Sequence, residues 1–226
     1  MVENALLLLE ITLINIVLSG DNAVVIAMAS RNLPGAQRKK AIYWGTLGAV
    51  VLRIALTVVA VFLLKIPFVQ IVGALLLFYV AVRLLTEDSS AAETKSAASV
   101  LTAVAIILTA DLIMSLDNVV AVASIARGNY GLTAIGIAIS IPLIIWCSQW
   151  IAKMLHTFPL LVYIGAGVLG YTAGEMLAKD DLVRKLFPAD ESWISIAFAA
   201  ACGLGVILCG WALRRRKGDV RHSYSG

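Results

Sequence analysis

Two short stretches, SGDN at residues 19–22 and SLDN at residues 115–118, indicate both the fold class and the candidate site of this chain. Each lies inside a long apolar segment and places an aspartate where a bilayer would surround it. A charged side chain at the bilayer centre costs roughly 2.5–3.5 kcal/mol on insertion scales, so an acid retained at that depth indicates a functional site. An asparagine follows each aspartate, so the two stretches offer carboxylate and amide oxygens, which suit a hard cation.

The composition is that of a membrane protein. The 226 residues are 61% hydrophobic and 14% charged, with a mean hydropathy of +0.93, whereas a soluble domain carries about 25% charged residues. Apolar runs close to the roughly 20 residues that cross a bilayer recur along the chain. We therefore predict an all-α polytopic membrane protein with a single transmembrane domain over residues 1–226. Its seven predicted spans cover residues 4–30, 41–64, 67–85, 99–126, 132–155, 158–178 and 193–213.

The basic residues predict the orientation of the chain. An odd number of spans puts the termini on opposite sides, and twelve of the 18 Lys and Arg fall on the side of the C-terminus. Five fall on the other side, and Arg53 lies inside a span. Because Lys and Arg accumulate in cytoplasmic loops, we expect the N-terminus outside and the C-terminus in the cytoplasm. The net charge of +4 is thus a topology signal, and we expect no nucleic-acid partner.

The two motifs belong to two related halves of the chain. At a constant offset of 96 residues, Ser19, Asp21 and Asn22 match Ser115, Asp117 and Asn118, and four further identities follow. A second block matches at an offset of 92, although chance recurrence of Gly, Ala and Leu is the alternative there. Each half, residues 4–85 and 99–178, has three spans, so the second copy runs upside down; residues 86–98 form a linker and residues 193–213 a seventh helix. An inverted repeat with polar, broken helices in matching positions predicts a transporter site at the midplane.

The depth of the aspartates agrees with that prediction. Asp21 lies ten residues before Arg31, about 15 Å along a helix, which is half of a roughly 30 Å hydrocarbon core. Asp117 stands at the same distance from Arg127. The first span is too long for a straight perpendicular helix, so it must tilt or break. Gly20 is the natural break, and an unwound turn there would expose backbone carbonyls to an ion.

Helical spacing places the polar residues of each motif on one stripe. Asn15, Ser19 and Asn22 share a face of the first span, and their equivalents Asp111, Ser115 and Asn118 share the matching face of the fourth. Glu10, about three turns before Asp21, is predicted to share the face of that aspartate and to line an outer step of an ion path.

The ligand types predict the kind of ion. Oxygen ligands without histidine or thiolate favour Mg²⁺, Ca²⁺ or Mn²⁺ over zinc or copper. Asp21 and Asp117 together neutralise one divalent ion, and Asp111 makes the pocket net anionic. Without the ion the carboxylates repel one another, so a proton could replace the metal, which is the hypothesis for coupling. The serines and asparagines alone could instead be interhelical hydrogen-bonding partners, and the aspartates structural ion-pair partners.

Arg53 is the candidate partner for such a pair. The alternative that we favour is a structural salt bridge with Asp111 or Asp117. The other is that Arg53 fills the site with its own charge when metal is absent.

The stretches SGDNAVVIAMA (residues 19–29) and DLIMSLDNVVAVA (residues 111–123) resemble the TerC family of integral membrane proteins, most closely its YjbE-type branch, and the resemblance extends from residue 7 to about 213. Members are linked to manganese homeostasis, typically as Mn²⁺ exporters, and to tellurite resistance; the two inverted units are also similar to the LysE-like exporters. The family's commoner first motif has Ala or Leu in place of Gly20. The resemblance implies a metal site formed by Asp21, Asn22, Asp117 and Asn118, with Asp111 and Glu10 as supporting acids.

The expected function is export of Mn²⁺ across a bacterial inner membrane by alternating access, in exchange for protons, with Mg²⁺ and Ca²⁺ as other candidate ions. The alternative is a non-transporting membrane scaffold or metal-delivery partner that holds a structural ion. A membrane-embedded enzyme is disfavoured, because the sequence has no HExxH zinc-protease motif and no GxSxG serine motif. The sequence leaves the oligomeric state open, a homo-oligomer included.

Overall fold

The computed structural model describes residues 2–63, 68–86, 96–126, 130–180, 182–183 and 192–223, and within them the secondary structure is helical. In chain order the helices are α1 (Val2–Leu18), α2 (Gly20–Ser30), α3 (Gly35–Leu63), α4 (Val69–Thr86), α5 (Ser96–Ala126), α6 (Tyr130–Thr157), α7 (Leu160–Lys179) and α8 (Ser192–Ser223). The predicted all-α class is therefore confirmed.

Four helices among the described residues are long and apolar enough to cross a membrane, namely Val69–Thr86, Gly131–Thr157, Leu160–Lys179 and Ser195–Leu213. The bent pair Ala5–Leu18 and Gly20–Ser30 makes a fifth if it is counted as one span. Most of the predicted linker (residues 87–95) lies outside the described residues. So do five basic residues used for the topology, namely Lys65, Lys95, Arg127, Arg184 and Lys185. The seven-span count and the inverted repeat thus stay predictions.

The first predicted span is broken within its motif. The axes of α1 and α2 differ by 46°, and Ser19 between them has φ −101° and ψ 4°. In a continuous helix the Asn22 N–H would donate to the Leu18 carbonyl; here it donates to Asp21 Oδ1 at 2.8 Å. The predicted break is confirmed, but it lies at Ser19, one residue before the predicted Gly20, which is the first residue of α2.

The second motif has a different backbone. Helix α5 is continuous from Ser96 to Ala126 and passes through residues 115–118 without interruption. The two copies of the motif thus present the same residue types on a broken helix and on an intact one.

Helices α1, α2, α3, α5 and α6 form one compact unit. Helix α3 packs along α5, and α1 and α2 pack on α6 and α5. Buried Ile11, Val50, Val122 and Ile137 form an apolar cluster from four of these helices. This unit contains both motifs.

Helices α4, α7 and α8 form the second compact unit. Helices α7 and α8 come close enough that a Cβ on Gly174 would lie 2.5 Å from Ala199 Cα and 2.6 Å from the Phe198 carbonyl oxygen. Glycines therefore set the separation of this helix pair. Each of the two units draws helices from both halves of the chain.

Candidate cation site

A buried arginine lies at the centre of the first unit. The Arg53 side chain, on α3, is 3% exposed and pairs through its NH2 group with Asp111 Oδ1 on α5. Its Nε donates to Ser115 Oγ at 3.0 Å, and Ser115 Oγ in turn donates to Asp111 Oδ2 at 3.3 Å. The predicted ion pair between Arg53 and a motif-side aspartate is thus confirmed for Asp111.

The same guanidinium reaches the broken helix. Its NH1 group donates to Ser19 Oγ at 2.8 Å and to Asn15 Oδ1 at 3.2 Å. Ser19 occupies the position before the first residue of α2, where a serine hydroxyl commonly caps the helix, but it makes no side-chain capping bond. Arg53 therefore holds the bend of the first span against α5.

The network continues to α6 through a residue that sequence reasoning missed. Asn15 Nδ2 donates to Ser140 Oγ at 2.6 Å, and Ser140 Oγ donates to the Ile137 carbonyl at 2.6 Å. A serine in an apolar run was the available signal, but Ser148 gives the same signal and bonds within its own helix. The two serines differ in their contacts with other helices, and the spacing of residues along one helix does not predict such contacts.

The asparagines of the two motifs converge on one carbonyl. Asn22 Nδ2 lies 3.4 Å from the Leu18 carbonyl oxygen, and Asn118 Nδ2 donates to the same oxygen at 3.3 Å. That carbonyl is available because the break removes its backbone partner. The equivalent residues of the two copies thus meet pairwise, the serines at Arg53 and the asparagines at Leu18.

Asp21 lies at the start of α2, half-buried, where the positive end of the helix dipole favours a carboxylate. Beside it, the Asn22 side-chain oxygen is buried and has no hydrogen-bond partner among the described residues. A buried amide oxygen without a partner costs about 1–3 kcal/mol, so this atom is suited to accept a ligand. Asp21 and Asn22 together offer oxygens of the kind that bind a hard cation.

The remaining predicted ligands have different surroundings. The Asp117 side chain lies outside the described residues. Glu10 is on the outer face of α1 with exposed Leu6, Leu13 and Val17. The predicted shared face of Glu10 and Asp21 assumed one continuous helix, and the bend at Ser19 lies between the two residues. Within the described residues, no three His, Cys, Asp or Glu side chains group closely enough to hold a metal ion.

Several apolar helices of membrane-spanning length, with a charged and hydrogen-bonded network buried in one unit, define a multi-pass integral membrane protein. Residues 1–218 match the model of the integral membrane protein TerC family. The chain therefore belongs to the TerC family, as the motifs predicted.

Three relatives from Bacillus subtilis (strain 168) are similar to parts of the chain. The uncharacterized membrane protein YjbE is 50% identical over 173 residues, which cover 76% of this chain and 79% of YjbE. The uncharacterized membrane proteins YkoY and YceF are 40% and 36% identical over 65 and 66 residues, 29% of this chain in each case and 20% and 26% of their own lengths. No solved structure matches the chain.

Proposed function

We propose that the protein is a divalent cation transporter that exports Mn²⁺ across a bacterial inner membrane, with the N-terminus outside and the C-terminus in the cytoplasm. Membership of the TerC family supports a membrane transporter. The observation that carries the proposal is the pairwise meeting of the two motifs, in which Asn22 and Asn118 share the Leu18 carbonyl. Two copies of one polar motif that share partners inside an apolar unit are what an ion site between related halves requires.

The proposed ligands are the oxygens of Asp21 and Asn22 from the first motif and of Asp117 and Asn118 from the second. Asn22 Oδ1, which has no hydrogen-bond partner in the part of the chain that the structure describes, supports this assignment, because a bound cation would satisfy it. An oxygen-only ligand set favours Mn²⁺, Mg²⁺ or Ca²⁺ over zinc and copper.

Alternating access would arise from seven spans arranged as two inverted halves plus one helix. The lengths of α3 and α5, 29 and 31 residues, support this count, since about 20 residues cross the hydrocarbon core. Counting these two with the five segments described above gives seven.

Export needs an energy source. Moving two positive charges out of a cell with a negative interior costs about 4.6 kcal/mol per 100 mV, from 2.3 per charge. We propose that inward movement of protons offsets this cost, with the carboxylates binding protons when the metal leaves.

The test is Mn²⁺ flux in proteoliposomes with and without a pH gradient. Asp21→Asn and Asp117→Asn are each expected to lower flux at least tenfold, since each removes a ligand charge. Glu175→Gln, a charge removal on α7 in the other unit, is the matched control and should keep flux within about twofold. Normal flux in both aspartate variants would contradict the proposal, and parallel assays with Mg²⁺ and Ca²⁺ identify the preferred ion.

A second candidate is a membrane scaffold or metal-delivery partner with a structural ion. The ion pair of Arg53 with Asp111 favours it, because a buried, fully engaged pair is also what a rigid support would contain. Stoichiometric Mn²⁺ binding by the purified protein without any flux would select this candidate.

A further inference from the structure

Arg53 is a buried charge to which the proposed transport cycle assigns no role. We propose, building on the proposed function, that the Arg53 guanidinium competes with the transported cation for Asp111. The guanidinium is paired with Asp111, and it has to leave Asp111 before that carboxylate can face a metal ion.

The first support is the chemistry of its surroundings. The four acceptors of the guanidinium are all oxygens, one from a carboxylate, one from an amide and two from hydroxyls. Such a mixed oxygen set with one charge is also what a hard divalent cation takes in proteins. The guanidinium therefore occupies a set of oxygens, called the oxygen cage below, of the chemical type that also binds hard cations.

The second support is where the cage lies. Ser19 and Ser115 are the first residues of the two motifs, and each stands two residues before a proposed metal ligand. The guanidinium is therefore held by two serines that are close in the chain to the two proposed carboxylate ligands. Because like charges repel strongly in a buried setting, a divalent ion at the motifs and a guanidinium fixed beside them oppose each other.

The third support is the shape of the connection. Arg53 is anchored on α3, whereas its acceptors are on α1, on the bend and on α5. A long arginine side chain can withdraw by rotation about its own bonds, without moving a helix. Its return to Asp111 would then help to release the ion.

The experiment compares Arg53→Gln with the double variant Arg53→Gln/Asp111→Asn, both as full-length purified protein. Competition predicts that Arg53→Gln binds Mn²⁺ at least tenfold more tightly than the wild type and turns over more slowly in proteoliposomes. The double variant should lose the gain in affinity, since the freed carboxylate is gone.

A merely structural role predicts the opposite order. Removal of one partner then leaves a buried, unpaired carboxylate, so Arg53→Gln should lose thermal stability and Mn²⁺ affinity together. The double variant, which removes both charges, should recover them. That order of affinities would overturn the proposal.

Arg53→Lys keeps the experiment decisive if Arg53→Gln does not fold. Lysine keeps the charge but has three donors in place of the guanidinium fork, so its hold on the cage is weaker and Mn²⁺ should bind several-fold more tightly. Weaker binding than the wild type would overturn the proposal. A wild-type protein that binds no Mn²⁺, Mg²⁺ or Ca²⁺ contradicts the proposed function as well, whereas wild-type binding without a gain in the Arg53 variants contradicts this inference alone.

Discussion

A single arginine joins four other buried polar residues of the first unit in one hydrogen-bonded network. Arg53 and Asp111 are 3% and 4% exposed, and the hydrogen-bonded neighbours Asn15, Ser19 and Ser115 are at most 2% exposed. Each of these polar groups would be costly to bury alone, and each is acceptable because its partner is another member of the network. The network therefore tolerates the loss of one member poorly.

Ser140 tests this dependence against a matched residue. Ser140 and Ser148 are both fully buried on α6, and each donates to a carbonyl of its own helix. The Ser140 hydroxyl differs in that it also accepts a hydrogen bond from Asn15 Nδ2. Ser140→Ala should cost about 1–3 kcal/mol, because it leaves the buried Asn15 amide without that acceptor. Ser148→Ala removes a bond to a carbonyl of the same helix, an i−4 bond that contributes little to helix stability, so it should cost about 1 kcal/mol or less. Thermal unfolding in detergent measures both, and equal losses would contradict the network.

At the scale of the residue, the sequence predicted much of this site. The SxDN motifs are visible in the sequence, and helical spacing predicts the stripes of polar residues around them. The pairing of Arg53 with an aspartate could also be predicted, because a polar residue in an apolar span has few alternatives to a buried partner. The convergence of Asn22 and Asn118 on Leu18 could not be predicted, since it depends on a backbone carbonyl that is freed only by the bend. Ser140 was missed for a related reason, because its partner comes from another helix.

The element that positions the site is the bent pair α1–α2. Its bend lies at Ser19, whose backbone angles are accessible to any residue. A Cβ placed on Gly20 would meet nothing within 4 Å. The glycine is therefore not what breaks the helix.

Gly20→Ala is accordingly expected to be tolerated. Alanine favours the helix by up to about 1 kcal/mol over glycine, so thermal stability should stay the same or rise slightly, and Mn²⁺ flux should remain within about twofold of the wild type. A loss of flux with unchanged stability would show that the bend needs the freedom of glycine after all.

The α7–α8 pair makes a contrasting prediction. At Gly174 the methyl group of an alanine would meet main-chain atoms of Phe198 and Ala199, which cannot move aside as a side-chain tip can. Gly174→Ala should therefore destabilise the protein by about 1–3 kcal/mol or more. On α8 of the same unit, Gly205→Ala places its Cβ 3.5 Å from the Phe78 ring, an ordinary contact, and serves as the control. Comparable melting temperatures for the two variants would be evidence against the close approach.

At the scale of the whole molecule, the odd number of predicted spans puts the two termini on opposite sides, and the distribution of basic residues predicts that the C-terminus is the cytoplasmic one. In a variant with Cys147, Cys202 and Cys209 replaced by serine, Val2→Cys should react with a membrane-impermeant maleimide on intact cells, and Ser225→Cys should react only after lysis. Labelling of both positions, or of neither, would contradict an odd number of spans and with it the two inverted halves.

The two compact units are the large-scale feature that the sequence did not reveal. Repeats in the sequence divide the chain at residues 86–98, whereas each unit takes helices from both sides of that division. A pattern of identities reports which segments are related, but packing depends on side-chain shape across helices, as at Gly174. The sequence therefore defined related segments and left their grouping open.

The central claim is that oxygens from both motifs hold one divalent ion. Anomalous diffraction at the manganese edge, from crystals grown with Mn²⁺, tests it most directly. We predict one strong peak per chain, within about 2–2.5 Å of oxygens from residues 21–22 and from residues 117–118. A peak that contacts one motif alone, or one that lies elsewhere in the protein, would contradict the claim.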